Sequence, residues 1–87
     1  MNIETIWNNI KRHEGDIFHT IKGKPYTYRV HSDCIIVVNI KGAKIKKDCF
    51  ERAIMIGTPT PTKIGKIGCW GPSYIYGTIT DERILAL

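Results

Sequence analysis

The side chains with most chemistry to offer in this sequence are its lysines, and what they offer is charge. Between residues 22 and 66, ten basic residues (Lys22, Lys24, Arg29, Lys41, Lys44, Lys46, Lys47, Arg52, Lys63 and Lys66) stand against Asp33, Asp48 and Glu51, a local surplus of +7. The rest of the 87-residue chain has three basic and five acidic residues, so the net charge of +5 is concentrated in its middle. Clustered cations of this kind are the electrostatic footprint of a phosphate-binding surface. Nine of the thirteen are lysines. Lysine meets phosphate as a point charge, whereas arginine reads base edges through a planar fork, so this composition suits backbone contact better than sequence readout. The blander reading is a set of solvated turns, which are often lysine-rich.

Aromatic residues are the second resource. Tyr26, Tyr28, Tyr74, Tyr76 and Trp70 can stack on unpaired bases, although the alternation around Tyr26 and Tyr28 also fits half-buried sheet positions. Trp70, between Gly68-Cys69 and Gly71-Pro72, is the aromatic least suited to a core. Metal and catalytic chemistry are poorly supplied. His13, Glu14, Asp16 and His19, followed by His31, Asp33 and Cys34, are ligand types without a zinc spacing, since His31 and Cys34 give one half-site and no partner. His13 as a general base and Cys69 as a nucleophile lack activating neighbours in the sequence. Gly65-Lys66-Ile67-Gly68 lacks the four-residue gap of a phosphate loop. No catalytic residue, metal or cofactor is assigned.

The elements that must position these residues follow from periodicity. Sixteen Ile against two Leu favours sheet. Ile3, Ile6, Trp7 and Ile10 form the stripe of an amphipathic helix over residues 2–13, with Asn2 as cap and Gly15 as stop. A period of two then predicts strands at about 17–21, 26–30 and 34–40, the last apolar on both faces and so expected inside the sheet and covered on both sides. A second helix is expected over 47–56, a Gly/Pro loop without regular structure over 57–72, and a C-terminal element over 73–80 that leans to a short helix. The expected architecture is α+β: an N-terminal helix, a three- or four-stranded antiparallel meander, a second helix packed on it, the long loop and the short C-terminal element. In such a meander the first and third turns share one end, which gathers Lys22 and Lys24 with Lys41 and Lys44, and Lys46 and Lys47 just behind.

The longest apolar run, Cys34 to Val38, is far short of the roughly 20 residues of a membrane span. No basic region followed by an apolar run opens the chain, and the odd, widely spaced Cys34, Cys49 and Cys69 point to free thiols. A single cytoplasmic domain is therefore expected.

Trp7, Ile10, His13, Gly15, Phe18, Thr20, Gly23 and Tyr26-Thr27-Tyr28, with Phe50-Glu51-Arg52-Ala53, Gly71-Pro72-Ser73-Tyr74 and Asp81-Glu82-Arg83-Ile84, resemble a family of short uncharacterised bacterial and phage proteins. The resemblance implies one intact domain over nearly the whole chain and carries no active site. The chain is also similar to modules of DNA-processing and mobile-element proteins, which implies nucleic acid as a partner. Gly77 departs from the pattern, standing where a better helix former is expected.

The expected function is a small non-catalytic nucleic-acid-binding domain that holds phosphates through Lys22, Lys24, Lys41, Lys44, Lys46 and Lys47, with Arg29 flanking. The alternative is a protein-interaction module or inhibitor of phage or mobile-element type, using the sheet edge or the loop carrying Lys63, Lys66 and Trp70.

Overall fold

The first helix forms where its local code is densest. In the computed structural model, which describes residues 2–85, α1 spans Ile3–Arg12, with the Asn2 side chain accepting from the Glu4 amide at 2.7 Å. That bond satisfies one of the helix's orphan donors. Glu4 lies at the positive end of the dipole and Lys11 and Arg12 at the negative end. Ile6, Trp7 and Ile10 bury their stripe. Gly15 turns the chain with φ +88°, a conformation that costs glycine little.

Five strands follow: β1 (Phe18–His19), β2 (Pro25–Tyr26), β3 (Tyr28–His31), β4 (Cys34–Val37) and β5 (Lys44–Lys46). They form two antiparallel sheets, β1-β2 and β3-β4-β5, where one meander was expected. The division falls at Thr27. Residues 25–31 run nearly continuously, but the first part pairs back to β1 (Phe18 with Tyr26) and the second pairs forward to β4 (Tyr28 with Val37). A change of partner within one extended stretch leaves no mark on side-chain periodicity, because both halves keep the alternation of two.

Four helices complete the chain: α2 (Lys47–Ile54), α3 (Pro61–Gly65), α4 (Pro72–Ile79) and α5 (Glu82–Leu85). The architecture is α+β, with the N-terminal helix and the second helix in the expected places. The 57–72 segment is not irregular as expected. Thr60 caps α3 by accepting from the Lys63 amide at 3.2 Å, and Pro61 sits in the first turn, where its missing N–H costs nothing. The C-terminal element is the short helix α4. Gly77 lies inside it because a Cβ there would meet the His19 carbonyl at 2.6 Å and the Tyr26 hydroxyl at 2.8 Å. The expected preference for a stronger helix former yields to this close packing of α4 on the β1-β2 hairpin.

One core joins the elements: Ile6, Trp7 and Ile10 of α1, Phe18, Tyr26, Tyr28, Ile35, Val37 and Ile45 of the strands, Phe50 and Ala53 of α2, and Ile64, Ile75, Ile79 and Ile84 of the later helices. Asn9 enters it with its amide donating to the Ile84 carbonyl at 2.8 Å, which ties α1 to α5. The Cys49 and Cys69 sulfurs are bonded, with Cα atoms 6.0 Å apart, and only Cys34 is free. The expectation of three free thiols is thereby corrected. Pairing two residues 20 apart required α2 to meet the loop before α4, a tertiary fact that spacing does not carry. Among the described residues no helix is long and apolar enough to cross a membrane.

Candidate nucleic-acid interface

Strand register decides which cations share a surface. Arg29, Ile36 and Lys44 are cross-strand neighbours in one row of the three-stranded sheet, and His31, Cys34 and Lys46 in another. The alternate rows, Tyr28 with Val37 and Val30 with Ile35 and Ile45, point the other way, into or against the core. Alternation therefore sends Arg29, His31, Lys44 and Lys46 to the outer face, where all four are exposed. Ile36, at the centre of that face, is 37% exposed, so β4 is interior by pairing but not covered on both sides as expected. The apolar content of β4's outer face is confined to Ile36 and the shielded Cys34. Arg29 and Lys44 lie two strand spacings apart, roughly 10 Å. Two like charges at that distance in water repel by only about 0.4 kcal/mol, so the fold tolerates the pair without neutralising it.

The other basic residues divide by whether a carboxylate already holds them. Lys47 pairs with Glu4 at 2.9 Å, and Arg52 pairs with Asp48 at 2.9 Å within α2. Lys63 donates to the Thr58 carbonyl at 3.1 Å and helps close its own loop. Among the described residues no ion pair holds Lys22, Lys24, Arg29, Lys41, Lys44, Lys46 or Lys66. A groove of about 820 Å³ runs beside the end of β5 and the start of α2, with Lys44, Lys46 and Lys47 on its walls. Glu4, Asp33, Asp48 and Glu51 line it too, so its floor is no anion trap. Arg29, which does not line the groove, carries the positive charge on along its row from Lys44.

The turn lysines sit elsewhere. Lys22 and Lys24 belong to the turn of the separate β1-β2 hairpin, so the expected gathering of Lys22, Lys24, Lys41 and Lys44 at one end of one meander is corrected. A cleft of about 330 Å³ does bring Lys24 beside Val38, Asn39 and Ile40, next to the turn that carries Lys41. Lys44 and Lys46 instead follow β5 away from that turn, and Lys47 begins α2 at its far end. The basic residues thus form a hairpin-and-turn group (Lys22, Lys24, Lys41) and a sheet-face group (Arg29, Lys44, Lys46).

Aromatic residues separate along the same lines. Tyr26 and Tyr28 are core residues: Tyr28 donates to the Ile10 carbonyl at 2.6 Å, and the Tyr26 hydroxyl donates to the Tyr74 carbonyl at 3.1 Å and meets the Thr78 hydroxyl at 2.8 Å. Burial pushes the Tyr26 phenol up to about 12 and raises that of Tyr28 as well. Trp70 is 43% exposed and lies parallel to the Tyr74 ring, centroids 5.6 Å apart and planes within 2°. The Lys24 ammonium stands 6.0 Å over that same tyrosine ring. Tyr76 is half-buried.

Catalytic candidates are occupied otherwise. Cys69 is in the disulfide, His13 bonds Asp16 at 2.8 Å, and Glu14 accepts from the Val30 amide at 2.8 Å. No group of three metal-ligating side chains occurs among the described residues. Charge counting along the sequence does not place His31 and Ile36 beside the basic residues of this face. The alternation of β3 already put Arg29 and His31 on one side, but their partners on β4 and β5 depend on register. Comparison with protein-family models, curated protein sequences and solved structures finds no match to this chain.

Proposed function

We propose that this protein is a small non-catalytic nucleic-acid-binding domain that engages the phosphate backbone. The observation that carries the reading is the outer sheet face, where Arg29, Lys44 and Lys46 stand exposed in adjacent rows with no carboxylate paired to them among the described residues. Phosphates neutralise such charges and release condensed counterions, which supplies affinity without any pocket. His31 adds a further donor to the face, and Lys22, Lys24 and Lys41 extend the positive field past the sheet. Lys47, held by Glu4, contributes less than its place in the sequence implied.

The test is fluorescence anisotropy of labelled oligonucleotides at low salt, comparing the native chain with Arg29→Glu/Lys44→Glu. Binding that is lost in the double variant and kept in Lys66→Glu supports the reading. Absence of binding, or binding indifferent to the sheet-face reversal, contradicts it.

The protein-interaction reading loses the β3 edge as a surface. On the outer edge of β3, the Tyr28 carbonyl accepts from the Gly15 amide at 3.2 Å and the Val30 amide donates to Glu14. With those groups taken, that edge has little left for an added strand. The β5 edge, paired only with β4, and the loop of Lys63, Lys66 and Trp70 remain to such a partner, and exposed Trp70 is the observation in favour of the loop.

A further inference from the structure

Trp70 is unusual in being both exposed and held. The disulfide fixes its predecessor, Cys69, to α2, and its successor, Gly71, occupies the left-handed region at φ +69° as the cap of α4. A Cβ at Gly71 would come within 3.1 Å of the Tyr74 ring, so glycine also makes room for the stack. The indole leans one face on Tyr74 and keeps 43% of its surface in water. Tyr74 is backed in turn by Tyr26, edge-on at 5.0 Å, whose hydroxyl is anchored on α4. A large aromatic surface immobilised in this way has already lost the freedom that binding would otherwise remove. Lys24 addresses the same tyrosine ring and makes no ion pair among the described residues.

We propose that Trp70, stacked on Tyr74, is a base-stacking platform that takes one unpaired nucleobase, with Lys24 holding an adjoining phosphate. The proposal rests on the nucleic-acid reading and sharpens it, since it names single-stranded nucleic acid as the preferred ligand. The charge complementarity argues for this occupant: an apolar partner would leave the Lys24 ammonium beside a desolvated ring, whereas a nucleotide supplies a π face for the indole and an anion for the lysine. In a duplex the bases are stacked on each other and offer the indole no face.

The intact chain supplies its own probe. Trp7 is 4% exposed, so quenching on ligand addition reports Trp70. An oligo-dT strand is expected to quench this emission and a blunt-ended duplex of equal charge to leave it unchanged. Trp70→Ala is expected to weaken oligo-dT binding by about tenfold or more while leaving duplex binding unaltered, and Trp70→Phe to restore most of the loss. Circular dichroism of each variant establishes that the fold is kept, and the quenching needs no variant at all. Equal affinity for strand and duplex with no quenching would overturn the platform while leaving phosphate binding intact. Loss of self-association in Trp70→Ala, seen by light scattering, would assign the surface to a protein contact and overturn it too. Binding to neither nucleic acid would overturn both this inference and the reading beneath it.

Discussion

Gly77 puts two familiar effects in opposition. Replacing a helix-interior glycine by alanine adds about 1 kcal/mol of helix stability in isolation. Here the new methyl group would lie 2.6 Å from the His19 carbonyl oxygen, a backbone atom with no rotamer to escape into. Overpacking of this kind costs about 1–3 kcal/mol or more, so packing wins. Gly77→Ala is expected to lower stability by about 2 kcal/mol and the thermal midpoint by roughly 8–16 °C, read by calorimetry. A midpoint unchanged or raised would mean that α4 does not approach the hairpin so closely. The buried tyrosines set the alkaline limit. An unfolded chain releases a tyrosine proton near pH 10, whereas native Tyr26 keeps its own until about 12. The unfolded state therefore binds fewer protons above pH 10, and stability that is complete below that pH declines as pH rises toward 12. The slope is about 1.4 kcal/mol per pH unit for each such tyrosine. Urea midpoints measured on either side of pH 10 check it, and Tyr26→Phe should flatten the slope.

Among the elements, those built from neighbouring residues were legible in the sequence. Asn2, the Ile6-Trp7-Ile10 stripe and Gly15 mark α1 almost to the residue, because cap, stripe and stop all act within one helix. The α3 turn was hidden, since Thr60-Pro61 reads equally as a loop breaker and as a cap followed by an N-terminal proline. The exchange of strand partners at Thr27 and the pairing of Cys49 with Cys69 were beyond reach, both being decided by which segments meet in space. The same holds for the candidate site. The surplus of cations was visible, but its division into a sheet face and a hairpin group waits on register. The disulfide carries a prediction at this scale. Closing a loop of 20 residues restricts the unfolded chain by about 3 kcal/mol in the loop-entropy model. Reduction, or Cys49→Ser, is expected to lower stability by about that amount and to raise Trp70 mobility in time-resolved fluorescence anisotropy. Unchanged indole mobility after reduction would show that the Tyr74 stack alone holds the ring.

At the scale of the whole molecule, the core lies against one face of the three-stranded sheet, and the row of Arg29, Ile36 and Lys44 on the other is exposed. Acidic side chains are spent on local structure: Glu4 on Lys47, Asp48 on Arg52, Glu14 on the β3 edge, and Asp81 and Asp16 on Arg83. Arg83 in return holds the Asp81 carboxyl below its ordinary range, chiefly through their side-chain hydrogen bond, and lays its guanidinium over Phe18 at 4.0 Å. Among the described residues Arg29, Lys44 and Lys46, with Lys22, Lys24 and Lys41 beyond them, are in no ion pair, although Asp33 and Glu51 share the groove that Lys44 and Lys46 line. A net charge of +5 would be unremarkable if evenly spread; its meaning comes from this partition. The most direct test is a ¹⁵N–¹H NMR titration of the labelled chain with a duplex oligonucleotide. The account predicts shifts that concentrate at Arg29, His31, Ile36, Lys44 and Lys46 and fade with added salt. Shifts confined to the far side of the molecule, on α1 and α5, or no shifts at all at low salt, would contradict it.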